Sequence, residues 1–324
     1  MQGVVEVLDA EQWRSDQREH ERTADDLTAA HRERRAHGKR HPVWDFMFTY
    51  YPVKPAALRR WSPGAGVGLD IDGTGEGDES SADTSRLSGA SYFHVVDSSG
   101  AASRPILTVD TDAFLEKRGR AVHHIHRLLS ATAARPASFG CFGMHEWAMV
   151  YRDAHRHPEP LRLGQDGTDR VVENSRLRCT HFDAFRFFTD SAAPRNALQP
   201  SRETQLDLEQ PGCLHATMDL YKWATKLGPL VPGDLWLDTF RLACDVRQTD
   251  MEASPYDLSE WGFTPVAVET REGRVEYVRR QRSFAERGQA LRRRLMALLE
   301  NCYPELQKYS VTVEEPARAT SCSK

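Results

Sequence analysis

Apolar residues recur at helical spacing along most of this chain, and the segments they mark set the expected architecture. Leu235, Leu237, Phe240, Leu242, Ala243 and Val246 make Asp234 to Met251 an amphipathic helix. Gly212 to Leu227 is helical as well, with His215 and Asp219 four apart, Met218 and Lys222 four apart, and Gly228-Pro229 as the stop. Ala113, Phe114, Val122, Ile125, Leu128 and Leu129 extend a helical stripe over Ile106 to Thr132, and Gly273 to Glu300 reads as a long helix with an interruption at Gly288. Met144 to Arg152 is short, apolar and helix-compatible, whereas Val266 to Thr270 has the character of a short strand.

Two N-terminal segments differ from these. Ala10 to Arg40 is crowded with charge, carries few large apolar residues and ends at Gly38, the pattern of a solvated helix with opposite charges at helical spacing. His41 to Tyr51 is aromatic; Pro42 suits the first turn of a helix that Pro52 and Pro55 close, with His41 and Asp45 on one face. Gly66 to Gly100 is rich in Gly, Ser, Asp and Thr around the apolar run Tyr92 to Val96, which predicts a long loop or small β excursion, mobile between Gly73 and Ser88. The expected fold is therefore mainly α: a charged N-terminal helix over residues 1–40, and a single helical domain over 41–303. That domain has a small β or irregular insertion near 66–103, and a disordered tail follows over 304–324.

Composition narrows the function classes. A chain of 324 residues with 40% hydrophobic residues buries a large core, while no apolar run approaches the roughly 18 residues of a membrane span. The polar N-terminus has no signal-peptide core, and six cysteines are too few for a disulfide scaffold of this length, so the expected setting is the cytoplasm with reduced thiols. A net charge of -4 argues against a surface coated for nucleic acid but leaves room for a local basic groove. Arg274, Arg279, Arg280, Arg282, Arg287, Arg292, Arg293 and Arg294 form either such a phosphate rail or a solvated face balanced by Glu269, Glu272, Glu276 and Glu286. The basic turn Leu58 to Gly64 reads either as a phosphate grip or as a surface corner over a buried Trp61. Its neighbour Gly64-x-Gly66-x-Gly68 lacks the preceding strand and the Gly-Lys-Ser/Thr of a nucleotide loop.

Candidate chemistry is concentrated in three segments of one design: Gly140 to Trp147, Cys179 to Asp183, and Gly212 to Trp223. Each places a cysteine ahead of a histidine and a carboxylate one to four residues beyond it, among aromatics. Such a mixture is polar chemistry held in an apolar pocket, where metals bind and pKa values shift. His145, His181 and His215 are the candidate nitrogen ligands of a divalent transition metal, iron or zinc, drawn from several elements of a helical bundle. Glu146, Asp183 and Asp219 are oxygen ligands, orienting partners or acid/base groups. Metal-free His-carboxylate pairs that handle protons, or histidines satisfied within the core, fit the same letters. Met149 stands where a His-Glu-x-x-His zinc helix needs its second histidine. His123, His124 and His126 point different ways on a helix and cannot share one ion. Cys141, Cys179 and Cys213 are better read as small buried thiols than as nucleophiles.

The combination of His41-Pro42-x-x-Asp45-Phe46, Phe139-Gly140-Cys141-Phe142-Gly143-x-His145-Glu146-Trp147, His181-Phe182-Asp183-Ala184-Phe185, Gln210-Pro211-Gly212-Cys213-Leu214-His215 and Ser254-Pro255-Tyr256-Asp257-Leu258 resembles a family of actinobacterial proteins commonly labelled 3-methyladenine DNA glycosylase. The likeness runs from about His41 to Leu295 and is weakest over residues 66–103. It implies an enzyme of base excision repair, a hydrolase that removes alkylated purines from DNA. Glu146, Asp183 or Asp219 would then stabilise the sugar cation, and Trp147, Phe185, Tyr221 and Trp223 would wall the flipped base. Lys222 would form a Schiff base if the strand were also cut. Against this, Leu230 to Asp234 has only part of the glycine-rich hairpin of the helix-hairpin-helix class. The residue set taken alone favours a metal-dependent small-molecule enzyme, an oxidase or hydrolase.

Overall fold

The structure, a computed structural model, describes residues 4–51, 53–71, 91–97, 104–153 and 157–309. Its helices, in chain order, are α1 (Ala10–Ala36), α2 (Phe46–Thr49), α3 (Pro55–Leu58), α4 (Thr111–Ala134), α5 (Met144–Ala148), α6 (Gly164–Glu173), α7 (Phe182–Phe185), α8 (Gln205–Leu208), α9 (Leu214–Leu227), α10 (Gly233–Glu252) and α11 (Arg271–Cys302). The strands are β1 (Glu6–Leu8), β2 (Val67–Asp70), β3 (Phe93–Asp97) and β4 (Pro105–Val109). The fold is mainly α with one small sheet.

Helices α9, α10 and α11 pack on one another, and α4 covers α11. Their apolar stripes meet there: Met218, Leu220 and Tyr221 of α9, Phe240 and Val246 of α10, and Leu295 and Leu299 of α11 are all buried. Side-chain caps fix where the longer helices start, Asp110 accepting from the Ala113 amide and Thr270 from the Gly273 amide. Helix α11 runs through Gly288 without the expected break, its glycine lying against Thr217 of α9. No helix among the described residues is long and apolar enough to cross a membrane.

The N-terminal region departs most from expectation. α1 is not solvated all round, because Trp13, His20, Ala24 and Thr28 recur on one face and are buried. The Trp13 indole donates to the Asp70 carbonyl, and His20 is 2.9 Å from the Leu58 carbonyl. Residues 1–40 are thus no detached helix, since β1 also precedes α1 and pairs with β2 in parallel. The sheet has the order β1-β2-β4-β3, its other two pairings antiparallel, and lays Leu69 and Leu107 against Trp13. Ile106 to Val109, read as the start of a helix, is the strand β4. The segment expected to be mobile, Gly73 to Ser88, lies outside the described residues.

Three smaller corrections follow. Only Phe46–Thr49 of the His41 to Tyr51 segment is α-helical, and Asp45 is consumed in local bonds to the His41 amide and the His31 ring. Val266 to Thr270 turns back instead of pairing as a strand, the Val266 amide bonding to the Glu252 carbonyl. The tail begins ordered, with a 3-10 segment at Pro304–Tyr309 that buries Leu306; residues beyond 309 are outside the described range.

Candidate metal centre

The three Cys-His segments converge. The ring centroids of His145 and His215 are 4.5 Å apart, and those of His215 and His181 are 5.4 Å apart. The rings form a column with His215 in the middle. Each arrives by a different local device. Before α5, Phe142 and Gly143 both have positive φ, and Gly143 lies so close to the Tyr277 ring that a Cβ there would be 3.3 Å from it. That tight turn aims the first turn of α5, with His145 and Glu146, into the core. His181 is the last extended residue before α7, in a segment held by two bonds between Asn196 and the Cys179 backbone. His215 lies in the first turn of α9, whose approach needs Gly212 because a Cβ there would stand 2.4 Å from the Ser138 carbonyl oxygen.

At one end of the column, His145 Nε2 is 2.8 Å from Asp250 Oδ1 on α10. Arg247 Nη1 donates to Asp250 Oδ2 at 3.2 Å and lies 3.5 Å from Glu146 Oε1. Among the described residues, His145, His215 and Asp250 form a group whose donor atoms all lie within 4.8 Å of one another. Two of the three are buried, and His215 keeps partial exposure, as do Cys141 and Cys213 beside it.

The charges of this end are strongly coupled to burial. Burial alone would lower the His145 imidazole, but the Asp250 carboxylate and Cys141 raise it well above its ordinary range. Burial would likewise raise Asp250, yet His145, His215 and Arg247 hold its carboxyl well below the usual carboxylate range. Glu146 is raised by burial and by the neighbouring Asp250, against the pull of Arg247. His215 is pushed down to about 3 by burial and by His145, so its imidazole is neutral at pH 7 and keeps a lone pair free for a Lewis acid.

At the other end, His181 Nε2 is 3.3 Å from Glu209 Oε1 and 3.4 Å from Asp219 Oδ2. Asp219 also receives Lys222 Nζ at 2.9 Å and the Tyr51 hydroxyl at 3.3 Å, and Lys222 reaches Asp183 at 2.8 Å. Burial would raise Asp219, but His181 and Lys222 hold it well below its usual range. Lys222, which burial would lower, is raised by its two aspartates.

Of the residues singled out in the sequence, His145, Glu146, His181, Asp183, His215, Asp219 and Lys222 thus belong to one connected cluster. The proposed aromatic wall does not form. Trp147 is fully buried and donates to the Ala253 carbonyl, and Tyr221 is fully buried against Tyr51 and Phe240. Phe185 packs on Phe188, and Trp223 lies beneath the ammonium groups of Lys222 and Lys226. His41 is elsewhere, against Trp261 and Phe263. His126, also outside the cluster, is buried beside Glu300. The Cys179 thiol is pushed well up by burial and Cys213 up to about 12, which keeps both protonated.

Sequence reasoning missed Asp250, Arg247 and Glu209. Asp250 and Arg247 carry no signal, since they sit among the polar residues Asp245, Gln248, Thr249 and Glu252 of α10. Glu209 carries none either. No protein-family model matches the chain, and neither a curated protein nor a solved structure matches it.

Proposed function

We propose that this protein is a metal-dependent enzyme acting on a small molecule, with an Fe2+ or Zn2+ ion held by His145, His215 and Asp250. The observation that carries the reading is the convergence of two imidazoles and a carboxylate from α5, α9 and α10 to within 4.8 Å. Two histidines and a carboxylate are a donor set used by nonheme iron oxygenases and by zinc hydrolases. A bound ion would supply Lewis acidity and a site for water or dioxygen.

The chain's own groups supply the rest. Arg247, in contact with both Asp250 and Glu146, fixes the two carboxyls relative to each other. Glu146, 4.0 Å from His145 Nε2 and raised by burial, is placed to give or take a proton beside the ion. His215 is the partly exposed member of the set.

Excision of alkylated purines is supported less well. The aromatics that would enclose a flipped base are committed to the core, and Lys222, paired with two aspartates, is far from the depressed pKa of a Schiff-base amine. Elemental analysis of the purified chain tests the choice. Stoichiometric iron or zinc, lost in His145→Ala and in His215→Ala, is expected. Release of 3-methyladenine from alkylated duplex by the metal-free chain would overturn the proposal.

A further inference from the structure

The outer face of α4 gathers positive charge against α9. Arg120, His124 and Arg127 recur at spacings of four and three, so their side chains lie on one side of the helix. They line a groove of about 560 Å³ together with Leu115, Gly119 and His123. α9 adds its own cations: the His124 ring stands 6.3 Å from the Trp223 ring, and the Lys222 and Lys226 ammonium groups lie 4.7 and 5.1 Å from the centre of that indole. Trp223 is buried, whereas Arg120, His124, Arg127 and Lys226 are exposed.

The patch differs from the arginine-rich helix α11 in how its charge is answered. There, Arg279 and Arg280 meet Glu276, Arg287 meets Asp245, and Arg294 bridges Asp234 and Asp238. Among the described residues, Arg120, Arg127 and Lys226 form no ion pair, and Lys222 is spent on Asp183 and Asp219. Burial lowers the His124 imidazole, and the Lys226, Arg127 and Lys222 charges lower it further. The Lys226 amine is lowered by burial and by Lys222, against the pull of Asp219 and Asp183. Cations held side by side without carboxylates repel one another, and a bound anion relieves that repulsion.

We infer that Arg120, His124, Arg127 and Lys226 form a binding site for the phosphate group of a small molecule. The two planar guanidinium groups offer paired N–H donors that match phosphate oxygens, and the neutral His124 imidazole has one ring N–H to donate. Lys226 adds a point charge, held in place by the face of Trp223. A groove one helix face wide suits a single phosphate or diphosphate group. A nucleic-acid backbone needs phosphate contacts spread along an extended rail, and on α11 much of such a rail is already paired with carboxylates. The site stands or falls apart from the metal centre, because none of its side chains belongs to the His145, His215 and Asp250 set.

The test adds inorganic phosphate to the full-length chain at constant pH and ionic strength and follows the Cε1 proton resonance of His124, assigned by its loss in His124→Gln. A saturable shift is expected. Arg127→Ala and Lys226→Ala should each raise the half-saturating phosphate concentration about fivefold, the weight of one exposed ion pair. Arg287→Ala, which removes an arginine already paired on α11, should leave it unchanged. All three changes are at exposed positions, and circular dichroism establishes that the variants are folded. No saturable shift overturns the site, and so does the same half-saturation in all three variants, which is general screening. A shift produced by duplex DNA and not by phosphate overturns the small-molecule class.

Discussion

The two ends of the histidine column hold similar side chains in unlike ways. At the Asp250 end, the His145 bond is 2.8 Å long and Arg247 ties Asp250 to Glu146, so the charges are matched inside the protein. At the His181 end, Lys222 and Asp219 are matched, but the imidazole between Glu209 and Asp219 is aligned with neither and its Nδ1 is unpartnered. The first arrangement stabilises the metal-free fold. The second holds His181 by longer contacts with Glu209 and Asp219, whose charges raise its imidazole against the effect of burial. Buried charge is thus paired by a short bond at one end of the site and by longer contacts at the other.

Removing the matched end should have the largest effect. Asp250→Ala leaves both His145 and Arg247 buried without their carboxylate, and is expected to cost about 3–5 kcal/mol in urea unfolding and to abolish metal uptake. Next comes Lys222→Met. It strips Asp219 and Asp183 of their shared cation, and because Lys222 is itself part-exposed the expected loss is about 1–3 kcal/mol by the same measurement.

Acid titration sharpens this. Asp219 has a folded pKa below that of the unfolded chain, so its stabilising contribution is complete above about pH 4 and disappears as the pH falls through the folded value. Asp219→Asn should flatten the acid limb of the stability profile of the metal-free protein, and an unchanged limb would refute the pairing.

His181→Phe is the sharpest contrast with Asp250→Ala. Asp219 keeps Lys222, but Glu209 keeps only the neutral Gln205 amide and loses the imidazole beside it, so the chain is expected to lose about 1–3 kcal/mol in urea unfolding. A loss as large as that of Asp250→Ala would show that the two ends do not differ. The smallest change belongs outside the site. Arg287→Ala on the exposed face of α11 breaks a solvent-exposed pair with Asp245 and should alter stability by less than about 0.5 kcal/mol, with metal content unchanged.

How much of this was legible varies with the length of the pattern. α9, α10 and α11 could be read because each carries its apolar stripe over several turns, long enough to distinguish helix from strand. β4 could not, since Ile106, Leu107 and Val109 form a short apolar run that abuts the α4 stripe and continues it by eye. α1 misled in the opposite sense: Trp13, His20, Ala24 and Thr28 are a sparse stripe with little apolar weight, and it becomes a buried face only because the sheet and α10 lie against it. In the site, the repeated Cys-His-carboxylate design pointed to the three histidines. It gave no hint of Asp250, 105 residues from His145, or of Glu209, which precedes Gln210 in an ordinary loop.

By itself the order of residues determined the helical class, the extents of the long C-terminal helices and the identity of three histidines with acidic neighbours, because periodicity and local spacing are properties of the chain alone. Which carboxylate faces which imidazole was decided only by the crossing of α9, α10 and α11 and by the tight turn at Gly143, because contacts between distant segments depend on how helices pack. That packing also decided that Trp147 and Tyr221 close the core instead of lining an open pocket, since burial belongs to the assembled molecule and not to a residue's type.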